Sequence, residues 1–158
     1  MNAPTPTIPA ADATRESYGD WLLTCANQHL DGQIRRVIVL SQEQFHKETR
    51  QRVLAVELRW EAKSAKGSLV LPFGLHIPEG ARLVLDGENS FATLSFHTAL
   101  PIGIVANLEF DGKALAALSK GKLLKIEAVT HDTGQEVNLA VSLKGFATAF
   151  ARMEALAR

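Results

Sequence analysis

From Tyr18 onward, short apolar runs recur with turn signals between them, and several alternate strictly between apolar and polar positions. That period of two is the pattern of a strand with one face on a core and the other on water. In LAVELRW, Leu54, Val56, Leu58 and Trp60 share a face opposite Glu57 and Arg59. In IVANLEF, Ile104, Ala106, Leu108 and Phe110 oppose Asn107 and Glu109; in VNLAVSL, Val137, Leu139, Val141 and Leu143 oppose Asn138 and Ser142. RVIVL (Arg36 to Leu40) and SLVL (Ser68 to Leu71) are apolar on both faces, which predicts strands in central positions or between two layers. Asp31-Gly32, Asp86-Gly87 and Asp111-Gly112 each supply a pair that tolerates positive φ, as tight hairpin turns require. Pro78-Glu79-Gly80 and Thr133-Gly134 add two further breaks.

Two segments depart from the β pattern. KALAALSKG (Lys113 to Gly121) predicts a short helical turn, and FATAFARMEALAR (Phe146 to Arg158) predicts a terminal helix. In the latter, Phe146, Phe150, Met153 and either Leu156 or Ala157 recur at three-to-four-residue spacing, the stripe of a helix laid on a core. A helix this short is marginal alone in water, so it must dock. The expected fold is mainly β, an antiparallel β-sandwich or barrel-like domain with a short helical turn and a C-terminal helix. The polar run SQEQFHKETRQR (Ser41 to Arg52) reads as a long exposed loop or a short surface helix. Three of six prolines fall within the first nine residues, so residues 1–16 are expected to be a disordered leader and 17–158 a single domain.

Charge narrows the partner classes. Lys plus Arg equals Asp plus Glu at 17 each, which leaves no net field to collect phosphates or anionic lipid, and no nucleic-acid partner is expected. No stretch approaches the roughly 20 apolar residues of a membrane span. The opening MNAPTPTIPAADATRES has neither an early basic cluster nor an apolar signal core, so no export signal is expected within it. With Cys25 alone, no intramolecular disulfide and no multi-cysteine metal site can form.

The catalytic constellations are missing from the sequence. There is no Gly-x-Ser-x-Gly elbow, and Gly121-Lys122 is followed by Leu123 where a phosphate-cradling loop needs Ser or Thr. His29, His46, His76, His97 and His131 are each at least 17 residues apart, so no one strand or helix supplies two metal ligands. Cys25, among Leu22, Leu23 and Ala26, reads first as a small buried hydrophobe and second as a nucleophile if a histidine lies beside it. Asp86 in its turn serves the backbone, with Glu88 facing water. No catalytic, cofactor or metal residue is assigned.

Four pieces, in order, carry a resemblance: the opening YGDWLLTC, the central LPFGLHIPEGARLVLDG, the stretch FHTALPIGIVANLEF, and the closing VSLKGFATAF. Together they resemble the invasion-associated locus B (IalB) family of bacterial envelope proteins, from about Tyr18 to the C-terminus. Trp21 reads as a large anchor for a first strand, Gly74 and Gly80 as turn residues around Pro78, and Gly145 as a permissive helix start. Where the family pattern has two cysteines in its third piece, this chain has Ala99 and Ile104. The resemblance implies a fold and a periplasmic or secreted setting more than a mechanism; the lack of a signal and of a cysteine pair keeps a cytoplasmic location open.

The leading expectation is therefore a non-enzymatic interaction domain that acts by surface contact with a protein partner, its binding residues unknown. The Ser41 to Arg52 run and the turn around Leu75 to Gly80 are its candidate surfaces. Two alternatives stand beside it: a β-barrel holding a small apolar ligand between the two-faced strands, and a thiol-dependent enzyme using Cys25 with an adjacent histidine.

Overall fold

The computed structural model describes residues 13–61, 63–87, 89–91 and 93–157. Among these residues, two antiparallel sheets carry eleven strands. The larger holds β1 (Ala13–Tyr18), β2 (Trp21–Leu30), β3 (Gln33–Phe45), β4 (Arg52–Glu61), β5 (Ser64–Leu71), β8 (Phe96–Leu100) and β9 (Gly103–Phe110), in the order β1-β2-β3-β4-β5-β9-β8. The smaller holds β6 (Arg82–Leu85), β7 (Asn89–Ser90), β10 (Leu123–Val129) and β11 (Glu136–Ser142), in the order β11-β10-β6-β7. Helix α1 (Gly112–Lys120) follows β9, and α2 (Phe146–Ala157) follows β11. The alternating runs sit as their periodicity predicts: Leu54, Val56 and Leu58 on β4 and the set from Ile104 to Phe110 on β9 are buried. SLVL falls on β5 between β4 and β9, and RVIVL on β3, where Val39 and Leu40 lie between β2 and β4 while Arg36 to Ile38 pair with β2.

One core cluster draws Leu40 and Leu69 from the larger sheet, Leu83 and Ile126 from the smaller, Leu118 from α1 and Phe146 from α2. This is the sandwich alternative, two sheets closing on shared side chains, rather than one sheet closed on itself. Helix α2 packs on β1 to β4 and on α1. Its Phe146 ring meets Trp21 edge-on at 5.1 Å, and Phe150 meets Trp60 at 5.5 Å. Leu156, rather than Ala157, completes the stripe. Each fully buried side chain of this size contributes roughly 1.5–3 kcal/mol, which is why a short helix holds its place.

Several local expectations change. Strand β1 begins at Ala13, where Ala13 registers with Ala26, so residues 13–16 of the expected leader are paired chain. The rest of that leader lies outside the described residues. The Ser41 to Arg52 run is half strand: β3 continues to Phe45 and β4 starts at Arg52, leaving a turn closed by His46 and Gln51. Its strand character was masked because the inward side chains are Gln42 and Gln44, not aliphatics. Asp111-Gly112 is not a hairpin turn either; the Asp111 carboxylate accepts the Ala114 N–H at 2.8 Å and caps α1. Asp31-Gly32 does turn the β2–β3 hairpin, at φ 50° and 75°.

That hairpin outruns its neighbours. Among the described residues, β2 and β3 pair with each other as far as Leu30 and Gln33, whereas β1 meets β2 up to Ala26 and β4 meets β3 from Val39. The projecting ribbon leaves Ile34 67% exposed.

Candidate functional site

Among the described residues, the interior between the two sheets is filled. Trp21, Leu58, Leu83, Leu118 and Phe146, from both sheets and both helices, surround a cavity of about 10 Å³. A drug-sized ligand needs roughly 300–1,000 Å³, so the two-faced strands line packing and not a ligand chamber. The apolar-ligand alternative falls on this volume.

Cys25 lies on β2, registered with Thr14 and Ile38 and half-buried against the core. Its Sγ accepts a hydrogen bond from Arg36 Nε at 3.1 Å. Among the described residues no histidine is hydrogen-bonded to it. His29, four residues along the same strand, is separated by about 13 Å of extended backbone. The thiol alternative thus has its nucleophile without its base.

The two candidate surfaces differ in construction. On the first, Phe45 ends β3 at 57% exposure, and the turn beyond it is fastened by the backbone amides of Glu48 and Thr49 donating to His46 Nδ1. On the second, Pro78 sits in a 3-10 turn over Ile77–Glu79, entered from Gly74 at φ 90° and left by Gly80 at φ 66°. Phe73 and Ile77 stand 59% and 51% exposed around that turn. An isolated bridge, Leu75 to Thr130, fastens the segment to the end of β10, with Leu75 buried beneath.

That bridge assembles something the sequence did not disclose. It brings His76 and His131 together, rings near-parallel and centroids 5.8 Å apart. Residues far apart along the chain carry no periodic signal of such a meeting; only the pairing of two loops creates it. Beside them runs an open groove of about 410 Å³ lined by Glu79, Arg82, Glu127, Val129 and Glu136 among others. Within it Arg82 is ion-paired to Glu127, with Lys125 3.7 Å away on the other carboxylate oxygen. The Arg82 guanidinium holds the Glu127 carboxyl below its ordinary range. A second groove, about 300 Å³, lies on the outward face of the larger sheet between Val70, Val105, Leu100 and Ile102. Among the described residues, no three of His, Cys, Asp or Glu are grouped so as to hold a metal ion, and no helix is long and apolar enough to cross a membrane.

Comparison with known proteins places this architecture. The chain is 37% identical over 149 residues to an invasion protein B homolog of Brucella abortus, covering 94% of this chain and 83% of that protein. It is 31% identical over 154 residues to invasion protein B of Bartonella bacilliformis, covering 95% and 80%. The crystal structure of invasion associated protein B from Bartonella henselae superposes with a TM-score of 0.82 at 28% identity, covering 91% of this chain and 97% of that one. A family model described as invasion associated locus B protein matches residues 21–154, from the first residue of β2 into α2. By sequence and by fold alike, the chain belongs to the invasion associated locus B family of bacterial proteins.

Proposed function

We propose that the protein is a non-enzymatic interaction domain of the bacterial envelope or exterior, acting by surface contact with a protein partner. The observation that carries this reading is the contrast between a filled interior and the solvent-facing Phe73 and Ile77 around a fastened turn. Large apolar side chains held in water on a rigid loop contribute nothing to a core and fit the anchor of a protein contact. The reading takes the chain from β1 onward as one domain, supported by the single cluster that both sheets and both helices share. The periplasmic or secreted setting rests on family membership, and the names of the relatives suggest a role in invasion.

Hydrogen exchange of the purified protein, alone and with host-cell surface preparations, tests the contact. Protection confined to residues 73–80 is expected, abolished by Phe73→Ser with Ile77→Ser. No protected surface under any condition overturns the reading. Fractionation of the source bacterium tests the setting separately: a pool found wholly in the cytoplasm removes it.

A further inference from the structure

We propose that His76 and His131 form a surface site for a divalent transition-metal ion of the zinc class, bound by one nitrogen from each imidazole. The site goes beyond the contact role and does not depend on it.

The backbone builds the pair. Around the Leu75–Thr130 bridge, the His76 N–H donates to the Val129 carbonyl and the His131 N–H to the Gly74 carbonyl, each at 2.8 Å. In an antiparallel bridge closed in this way, the residues following the two partners lie on the face opposite the bridge pair and diagonal to each other. Both imidazoles therefore leave the same side of one fastened ribbon. Two imidazoles sharing an ion at metal–nitrogen distances of about 2.0–2.1 Å hold their ring centroids roughly 5 to 6 Å apart. The observed separation is 5.8 Å.

The ring nitrogens are free for the purpose. Among the described residues neither ring makes a hydrogen bond to a protein group, unlike His46, whose Nδ1 is engaged by the amides of Glu48 and Thr49. His131 is exposed and His76 half-buried, so an ion approaches from solvent. The surroundings are acidic. Val129, whose carbonyl takes the His76 N–H, also lines the groove that holds Glu79, Glu127 and Glu136, of which Glu127 is met by Arg82 and Lys125. Arg82 is committed to Glu127, and Asp132 follows His131 directly. With no third side-chain ligand grouped there among the described residues, water fills the remaining positions. Imidazole donors select zinc, nickel and copper over magnesium and calcium.

The test is a titration of the tag-free protein with zinc chloride and with nickel chloride near neutral pH, read by imidazole NMR and by thermal midpoint. The signals of His76 and His131 are expected to move together and saturate at one ion per chain, while those of His29, His46 and His97 stay. Magnesium should do neither. His76→Ala should weaken binding roughly tenfold or more, since even outer-shell losses cost about 10- to 100-fold. His131→Asn repeats the test at an exposed position, and the main-chain bridge keeps both variants folded, as the unliganded thermal midpoint will report. Parallel shifts at all five histidines, or zinc affinity unchanged in both variants, overturns the proposal.

Discussion

Ala99 on β8 and Ile104 on β9 are direct register partners, one exposed and the other buried. They are the two positions at which the resemblance to the family pattern implies cysteines, and they fall on one cross-strand pair. Directly opposed residues in an antiparallel pair have Cα atoms roughly 4.5–5.5 Å apart, within the span a disulfide bridges. Ala99→Cys with Ile104→Cys should therefore oxidise without rearrangement. The closed loop is short, so the oxidised form should exceed the reduced form by about 2 kcal/mol. The reduced form should fall roughly 1–2 kcal/mol below the parent, because Ile104 fills core volume. Urea midpoints with and without reductant measure both differences, and equal midpoints would show that the pair cannot close.

Among the described residues, Gln42 is the polar side chain buried within the larger sheet, at 5% exposure. Its Oε1 accepts the Ser142 N–H at 3.1 Å and its Nε2 donates to the Ser142 carbonyl at 2.9 Å, so a side chain of β3 continues the hydrogen bonding of β11. Trp21 Nε1 donates to the same carbonyl at 2.8 Å, which leaves the Ser142 amide as the group wholly dependent on Gln42. Gln42→Leu should cost about 1–3 kcal/mol despite its greater hydrophobicity. A neutral or stabilising result in chemical denaturation would refute that dependence.

Gly19 and Gly145 meet where the β1–β2 turn touches the entrance of α2. Both have positive φ, 58° and 84°. A Cβ on Gly145 would lie 2.1 Å from the Tyr18 carbonyl oxygen, and one on Gly19 would lie 2.4 Å from that of Lys144. Gly145→Ala combines a left-handed backbone with a clash against main chain, and should cost at least about 2 kcal/mol. Because the two positions share one contact, the double alanine variant should lose less than the sum of the singles, a shortfall that a double-mutant cycle reads directly.

Acid should weaken the protein partly through Asp86. The amides of Leu123 and Lys122 donate to its carboxylate and hold its pKa below the ordinary value. A carboxyl depressed in the folded state adds stability that is fully present above the unfolded pKa of about 3.9 and is lost as pH falls through the lower folded value. Asp86→Asn should thus be less stable than the parent at neutral pH, with the gap closing below about pH 4. Denaturation midpoints across that range check it; a gap indifferent to pH means the charge is not what the amides hold.

How much of this was legible depends on which atoms carry the information. The strands of Leu54 to Trp60 and Ile104 to Phe110 announced themselves because their inward positions are apolar. The far half of β3 did not, since Gln42 and Gln44 satisfy buried backbone where an aliphatic face was expected. Asp111-Gly112 reads in the sequence as a hairpin turn and proves to be a helix cap, because the same carboxylate serves either. The turn around Leu75 to Gly80 was legible from Gly74, Pro78 and Gly80, but its histidine pair was not. That pair exists only through a bridge between segments distant in the chain.

The projecting β2–β3 ribbon has a mechanical corollary. Among the described residues, its amides past Ala26 and Val39 are guarded by one neighbour strand, and a two-stranded ribbon is marginal without support. Residues 27–36 will fray before the body does and exchange their protons earliest. Extra sequence spliced between Asp31 and Gly32 would ride on that arm as a passenger, with the body's melting left where it was.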